Sequence, residues 1–312
     1  MSRLPPPLPA LRALVEADQR PLTGAALAMA EAIRARHGDA VRALIFYGSA
    51  LREGEAAAKM LDFYVIVGSY RAVHGTGLRA FATWILPPSV HFLQIDGPEG
   101  RKLRSKYAII SERAFHRRAG GGVLESMLWA RFTQPATVQC DDPATRAALL
   151  DTLARAPAHF ARQTRPLLDG RIGPGDLWVR GLAESYRTEL RPERPLPRAT
   201  EIVERAPDRY ARLSDILLER DAAGHLCLPD PGRAARLACK ARWLARRVAG
   251  KPLGALRVLK AATTFDAGLD YILEKIESHS GVRMEPTEAE RRHPVLNAPR
   301  LAWRLWRAGA FR

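Results

Sequence analysis

The chain has 312 residues, 47% of them apolar, and carries 49 Lys and Arg against 33 Asp and Glu, a formal net charge of +16. That apolar content excludes a disordered chain and suffices for one large domain or two modest ones. The positive balance points to an anionic partner (a nucleotide, a nucleic acid or an acidic membrane), although a genome that favours Arg and Ala would account for part of it.

Taken in chain order, residues 1–21 begin with a proline-rich lead and read as an irregular arm. No continuous apolar stretch there suggests a signal peptide. Residues 22–38 read as a helix stopped by Gly38. Strands are expected at 41–47 and 61–67, a helix over 71–85 ended by Pro87 and Pro88, a strand from Ser89 to Ile95, a turn at GPEG, and a strand from Lys106 to Ile110. This alternation predicts a mixed α/β region up to about residue 140. Residues 143–167, 175–190, 198–219 and 232–249 then read as helices with Pro- and Gly-rich joints. The expected fold class is α+β, an N-terminal mixed sheet with helices followed by a mainly helical region. The expected division is residues 1–140, 141–297 and a basic tail, 298–312. The three cysteines, Cys140, Cys227 and Cys239, lack CxxC spacing, which fits a reducing compartment and no zinc site. No apolar run is long enough to span a bilayer, and no internal repeat is present.

The chemistry-bearing signal is a Gly-Ser pair after one apolar run and an Asp inside the next. Leu44-Ile45-Phe46-Tyr47-Gly48-Ser49 is followed, after a loop, by Met60-Leu61-Asp62-Phe63-Tyr64-Val65-Ile66-Val67. This is the layout of a nucleotidyltransferase-fold active site. Gly48 lets the backbone approach a phosphate closely. Ser49 offers a backbone N–H and a hydroxyl at a turn entering a helix. Asp62 sits in an apolar run where a carboxylate is costly unless it is paired or bound to metal, and it would hold a divalent cation bridging triphosphate oxygens. The bland alternatives are an ordinary turn and an Asp at an exposed strand end. The usual pattern has a second carboxylate two residues on, on the same strand face. Tyr64 stands there instead, so either a later residue such as Asp96 or Glu189 supplies the carboxylate or the site is degenerate.

Five segments in order resemble the mitochondrial-type phosphatidate cytidylyltransferases, the translocator-assembly-maintenance family. They are Tyr47-Gly48-Ser49, Asp62-Phe63, Lys106 to Ser111 (KYAIIS), Leu128 to Pro135 (LWARFTQP) and Ser185 to Arg191 (SYRTELR). Together they span roughly residues 40–220. Where the family has VYYN this chain has Val90-His91-Phe92-Leu93, where it has Gly-Asp this chain has Thr188-Glu189, and Gln134 replaces a Lys. The family also lacks the second strand carboxylate. The resemblance implies a nucleotidyltransferase domain, a winged-helix-like helical region and a need for Mg²⁺. The implied reaction is CTP plus phosphatidic acid to CDP-diacylglycerol and pyrophosphate, a step in phospholipid biosynthesis.

On that reading Asp62 carries Mg²⁺, Gly48 and Ser49 hold the β- and γ-phosphates, and Lys106 neutralises phosphate charge. Lys106 could equally be a solvated strand lysine. Arg131, beside Trp129 and Phe132, suits a phosphate with its forked guanidinium, or packs by its stem. Arg187, Glu189 and Arg191 either bind nucleotide or form an ion-pair cluster. His91, with no ligand partner at useful spacing, reads as structural.

The tail runs Pro299-Arg300-Leu301-Ala302-Trp303-Arg304-Leu305-Trp306-Arg307. On a helix, Arg300, Arg304 and Arg307 share one stripe, while Leu301, Leu305 and Trp306 fall on an apolar sector. Tryptophan with arginine suits a bilayer interface; docking on the protein's own core is the alternative. Residues 233–248 carry a similar split between Arg233, Arg236, Lys240 and Arg247 and the apolar Leu237, Ala241, Leu244 and Val248. The expected setting is cytoplasmic and peripheral, on an anionic membrane surface at the inner face of the cell membrane. The tail favours lipid over nucleic acid as the partner. A nucleotidyltransferase with another acceptor (RNA, a protein or a small molecule) and a non-catalytic nucleotide-binding protein remain the competing readings.

Overall fold

The structure, a computed structural model, describes residues 7–53, 60–97, 102–190, 193–264, 273, 276–277, 280–292 and 294–310. Two apolar runs set its centre: β1 (Val41–Tyr47) and β2 (Leu61–Val67) pair antiparallel, with Tyr47 opposite Asp62 and Ile45 opposite Tyr64. Both are rich in β-branched and aromatic residues, which suit a pleated, packed surface. β2 runs parallel to β4 (Lys102–Ser111), which pairs antiparallel with β3 (Ser89–Asp96), and β5 (Ala136–Gln139) closes the other edge on β1. The result is a five-stranded mixed sheet in the order β3-β4-β2-β1-β5.

Both faces of this sheet are covered, which is why its central strands are apolar throughout rather than alternating. One face, bearing Leu44, Phe46, Phe63, Val65, Tyr107 and Ile109, packs on Met29, Ala30 and Ile33 of α2 (Gly24–His37). The other, bearing Ala43, Ile45, Tyr64, Ile66, Ala108 and Ile110, shares one core with the helical half. That core takes in α6 (Glu112–Ala119), α7 (Met127–Arg131), the 22-residue α8 (Pro143–Thr164) and α9 (Asp176–Tyr186). The helical half continues through α10 (Pro195–Glu204) and α11 (Pro207–Leu217) to a small antiparallel sheet. There β8 (Leu226–Leu228) lies between β6 (Gly170–Arg171) and β7 (Glu219–Arg220). A long α12 (Gly232–Thr264) follows. The protein is therefore α+β, with the mixed sheet in its N-terminal half and a mostly helical remainder.

Several boundaries differ from the sequence reading. The expected arm contains a helix, α1 (Leu8–Ala17), because Leu11 and Val15, four apart, are buried in the core it shares with α8; Pro9 is tolerated in its first turn. The expected 71–85 helix is two, α4 (Tyr70–His74) and α5 (Leu78–Ile85), separated at Gly75, which takes a φ of +69°. The expected 198–219 helix is broken before Pro207. The expected 232–249 helix runs on through Pro252.

Where α2 meets the sheet, three histidines gather around Tyr107. His37 Nε2 lies 3.0 Å from the Tyr107 hydroxyl, and His91 stacks on the Tyr107 ring at 5.3 Å. Ser89 Oγ lies 3.2 Å from both His74 Nε2 and His91 Nε2. The lone His91 is thus packed into a core cluster. Burial, with Arg36 and His74 adding to it, lowers the His37 pKa to about 4; burial, with Lys260 and Arg79, lowers that of His74. Across the molecule, burial and Arg162 lower His159 to about 4. An unfolded histidine titrates near ~6.5. Between that value and about 4 the unfolded chain binds protons the folded one refuses, so stability is complete above the unfolded value and is lost as pH falls through this window. Melting curves from pH 7 to pH 4.5 should show a falling Tm. His37→Asn should flatten that slope, and an unchanged slope would remove His37 from the account.

Candidate active site

Register places Tyr47, Asp62 and Lys106, all singled out by sequence, in one row across the sheet. Ala136, Tyr47, Asp62, Lys106 and Phe92 are successive partners on β5, β1, β2, β4 and β3. Residues directly opposed across strands share a face, here the face shared with the helical half. Asp62 and Lys106 therefore stand side by side, about 5 Å apart from strand to strand, Asp62 half-buried and Lys106 exposed. β1 ends at Tyr47, Gly48 takes a φ of +95°, and α3 (Ser49–Glu53) begins at once. The chain turns directly over Asp62: a Cβ on Gly48 would lie 2.8 Å from Asp62 Oδ2. Glycine is needed both for the backbone angle and for this approach.

The helical half supplies the opposite wall. α7 is held by its buried Leu128, Trp129 and Ala130, and its last residue, Arg131, reaches back to the sheet. Arg131 Nη1 donates to the Tyr47 hydroxyl at 2.9 Å, and its Cζ lies 5.0 Å from the centre of the Tyr47 ring. Burial opposes its charge, but Tyr47, Tyr64 and Glu189 hold its pKa well above the usual value. Arg131 Nε is buried with no hydrogen-bond partner among the described residues. A buried donor left unmade is costly, and an anion beside it would satisfy both the donor and the charge.

Tyr64 explains the missing carboxylate. It is buried against Tyr47 (ring centres 5.1 Å apart) and Phe132 (5.6 Å), and Phe115 lies beside it and Phe132. Burial raises the pKa of both tyrosines. The position is a hydrophobic one, closed to a hydrated cation. Of the two proposed substitutes, Asp96 lies at the far end of the β3–β4 hairpin, paired with Lys102, about 13 Å along the strand from Phe92. Glu189 lies on the site's own side, close enough to act on both Arg131 and Tyr64.

The segment 185–191 divides. Ser185 Oγ donates to Ser126 Oγ at 2.9 Å, and Ser126 Oγ lies 3.3 Å from Thr188 Oγ1, so the end of α9 is tied to the start of α7. Arg187 turns away to Glu184 at 2.8 Å, where Arg180 and Arg247 also converge on one buried carboxylate. It joins an ion-pair cluster built on Glu184, not the grouping with Glu189 and Arg191 that the sequence suggested. Arg191 lies outside the described residues. Sequence reasoning missed Glu184, and it missed Arg118 and Arg257, which share Glu125 near the site; Arg257 Nη2 is 2.7 Å from Glu125 Oε1. Beside them Lys260 donates to Pro88 O at 2.9 Å, and burial followed by Arg257 lowers its pKa to about 7.

Among the described residues no group of three or more His, Cys, Asp and Glu is arranged to hold a metal. A Mg²⁺ that takes one or two carboxylates and completes its shell with water and substrate phosphate still fits the donor set of Asp62, with Glu189 nearby. The tail forms α14 (Pro294–Arg307), preceded by α13 (Glu288–Arg292). Leu301 and Leu305 are buried with Leu273, Arg304 is bound to Glu290 at 2.8 and 2.9 Å, and Arg307 lies over the Trp303 ring at 4.9 Å. Arg300, Trp303 and Trp306 are exposed. The tail thus docks by its leucines and turns both tryptophans outward. No helix among the described residues is long and apolar enough to cross a membrane.

Compared with known proteins, the chain matches no family model and no curated sequence.

The Gly48–Asp62 approach can be measured directly. Gly48→Ala should cost about 1–3 kcal/mol in urea unfolding, from the backbone angle and the crowding together. Combined with Asp62→Ala, which removes the crowding atom, the total should be less than the sum of the two. Strict additivity would rule out the contact.

Proposed function

We propose that the protein is a metal-dependent nucleotidyltransferase that moves a cytidylyl group from CTP to phosphatidic acid, giving CDP-diacylglycerol and pyrophosphate. The observation that carries this reading is the convergence on one sheet face of a half-buried carboxylate, a glycine turn over it, a lysine beside it and a buried arginine with an unmade donor. That is an anion site with a hard-metal ligand at its edge. The resemblance of the five segments, from Tyr47 to Arg191, favours a cytidylyltransferase among phosphate-transfer chemistries.

The lipid phosphate oxygen forms the new bond to the α-phosphorus as the bond to the β-phosphate oxygen breaks and pyrophosphate leaves. That oxygen is already anionic at neutral pH, so no strong general base is required. Transfer of this kind rests on positioning and charge neutralisation. Gly48 and Ser49 present backbone N–H groups and a hydroxyl to the triphosphate. Arg131 offers Nε to a phosphate oxygen while Tyr47 fixes its other end. Lys106 balances charge beside Asp62. Asp62, with Glu189 as the second candidate, would hold Mg²⁺, which when bound neutralises triphosphate charge. A lipid acceptor requires work at a membrane surface, and the outward tryptophans of α14 suit a peripheral setting on the inner face of the cell membrane.

The test is CDP-diacylglycerol formation from labelled CTP and phosphatidic acid in mixed micelles with Mg²⁺. Asp62→Asn should lower turnover by about a hundredfold or more, and Arg131→Ala should raise the KM for CTP. Labelled product from another acceptor, with none from phosphatidic acid, would move the protein to a different nucleotidyltransferase class. CTP binding without any turnover would make it a non-catalytic member.

A further inference from the structure

Two helices of this protein face the wrong way for a molecule surrounded only by water. α5 buries Ala80 and Thr83 and turns its large residues outward: Leu78 is 80% exposed, Trp84 69%, and Phe81 and Ile85 lie with them. α12 does the same. Cys239, Trp243 and Arg246 point into the protein, while Leu237 (70% exposed), Leu244 and Val248 (68%), at i, i+7 and i+11, form an outer stripe with Ala241 between them. An ordinary surface helix shows the reverse arrangement. The two elements adjoin: Arg257 Nε donates to Pro87 O at 3.2 Å and Lys260 Nζ to Pro88 O at 2.9 Å, so α12 grips the segment that follows α5.

Charge identifies what covers these faces. α12 contains nine Lys and Arg and no Asp or Glu. No acidic residue occurs between Asp62 and Asp96, the stretch that holds α4 and α5. Exposed Arg71, Arg79, Arg233, Lys240, Arg242 and Lys251 flank the apolar side chains. A second copy of this chain would bring the same cations against themselves. A surface that offers hydrocarbon between anionic groups satisfies both features, and tryptophan with cations is the pair that settles at that boundary.

We infer that the outer faces of α5 and α12 dock on an anionic bilayer, forming a membrane-contact surface separate from the tail helix α14. It extends the membrane part of the proposed function but does not depend on the reaction, because binding is read without nucleotide and Asp62→Asn should leave it unchanged. The full chain is sedimented with vesicles of phosphatidylcholine and phosphatidylglycerol, and with phosphatidylcholine alone. Wild type should bind the mixed vesicles, and bind them far better than the neutral ones. Phe81→Ser with Trp84→Ser, and separately Leu244→Ser with Val248→Ser, should each weaken that binding by about tenfold or more. Since these side chains are exposed, the melting temperature should stay at the wild-type value, which separates lost contact from lost fold. Equal binding to both vesicle types overturns the inference, as does binding that survives both pairs and is lost only with Trp303→Ser and Trp306→Ser. Sedimentation equilibrium showing a dimer that the α5 and α12 pairs disperse, with vesicle binding unaffected, would make a second copy the occupant and overturn it as well.

Discussion

The structure depends on a sheet that is buried on both faces. With α2 on one side and the helical half on the other, β1 and β2 have no solvent face along most of their length. A polar side chain survives there only where a strand ends or where the covering layer opens. Asp62, second in β2, and Lys106, its neighbour on β4, occupy such an opening, and the turn at Gly48 and the end of α7 roof it. The location of the site follows from the location of the gap in the cover. The same burial makes Tyr64, two residues from Asp62, an aromatic core position. If the proposed nucleotidyltransferase reading holds, packing leaves this strand with one carboxylate where the usual pattern has two.

How much of this was legible in the sequence depends on how local each cause is. The strands at 41–47 and 61–67 were, because an apolar run bounded by turn residues is a local signal. The Gly48–Asp62 juxtaposition was as well, since a turn following one strand and a carboxylate opening the next must meet if the two pair antiparallel. What escaped was non-local. α1 looked like a proline-rich arm because nothing in its own residues reveals α8, against which Leu11 and Val15 are buried. For Arg187 the partner Glu184 is only three residues away; what the sequence hid is that Glu184 is buried and also held by Arg247, far along the chain. β5, four residues long, has too little length to show a period.

The charge excess looks different once it is placed. A net charge of +16 spread evenly would say little about a partner. Many arginines are instead consumed internally: three meet at Glu184, two at Glu125, and Arg209 joins Asp18 deep in the fold. Such groups with more cations than carboxylates are stable only where some of the cations stay hydrated or find another anion. The acid-free stretches hold much of the remainder, on the elements that also expose large apolar side chains. Composition gives the sum, but only the fold shows that the surplus and the exposed hydrocarbon share the same surfaces.

This distribution bears on how one chain could serve a soluble nucleotide and an insoluble acceptor together. On the proposed function, a nucleotide site needs cationic donors screened from water, and the Arg131–Tyr47–Asp62 corner would supply them. A lipid acceptor needs the recess to lie near hydrocarbon without the protein leaving the surface. α12 links the two demands mechanically. Its inner face packs Trp243 into the core and ties Arg247 to Glu184, one turn of helix before Arg187, while Arg257 braces Glu125 beside the site. Its outer face is the apolar stripe. On the proposed membrane contact, a surface pressing on that stripe would act on a helix already tied to Glu184 and Glu125.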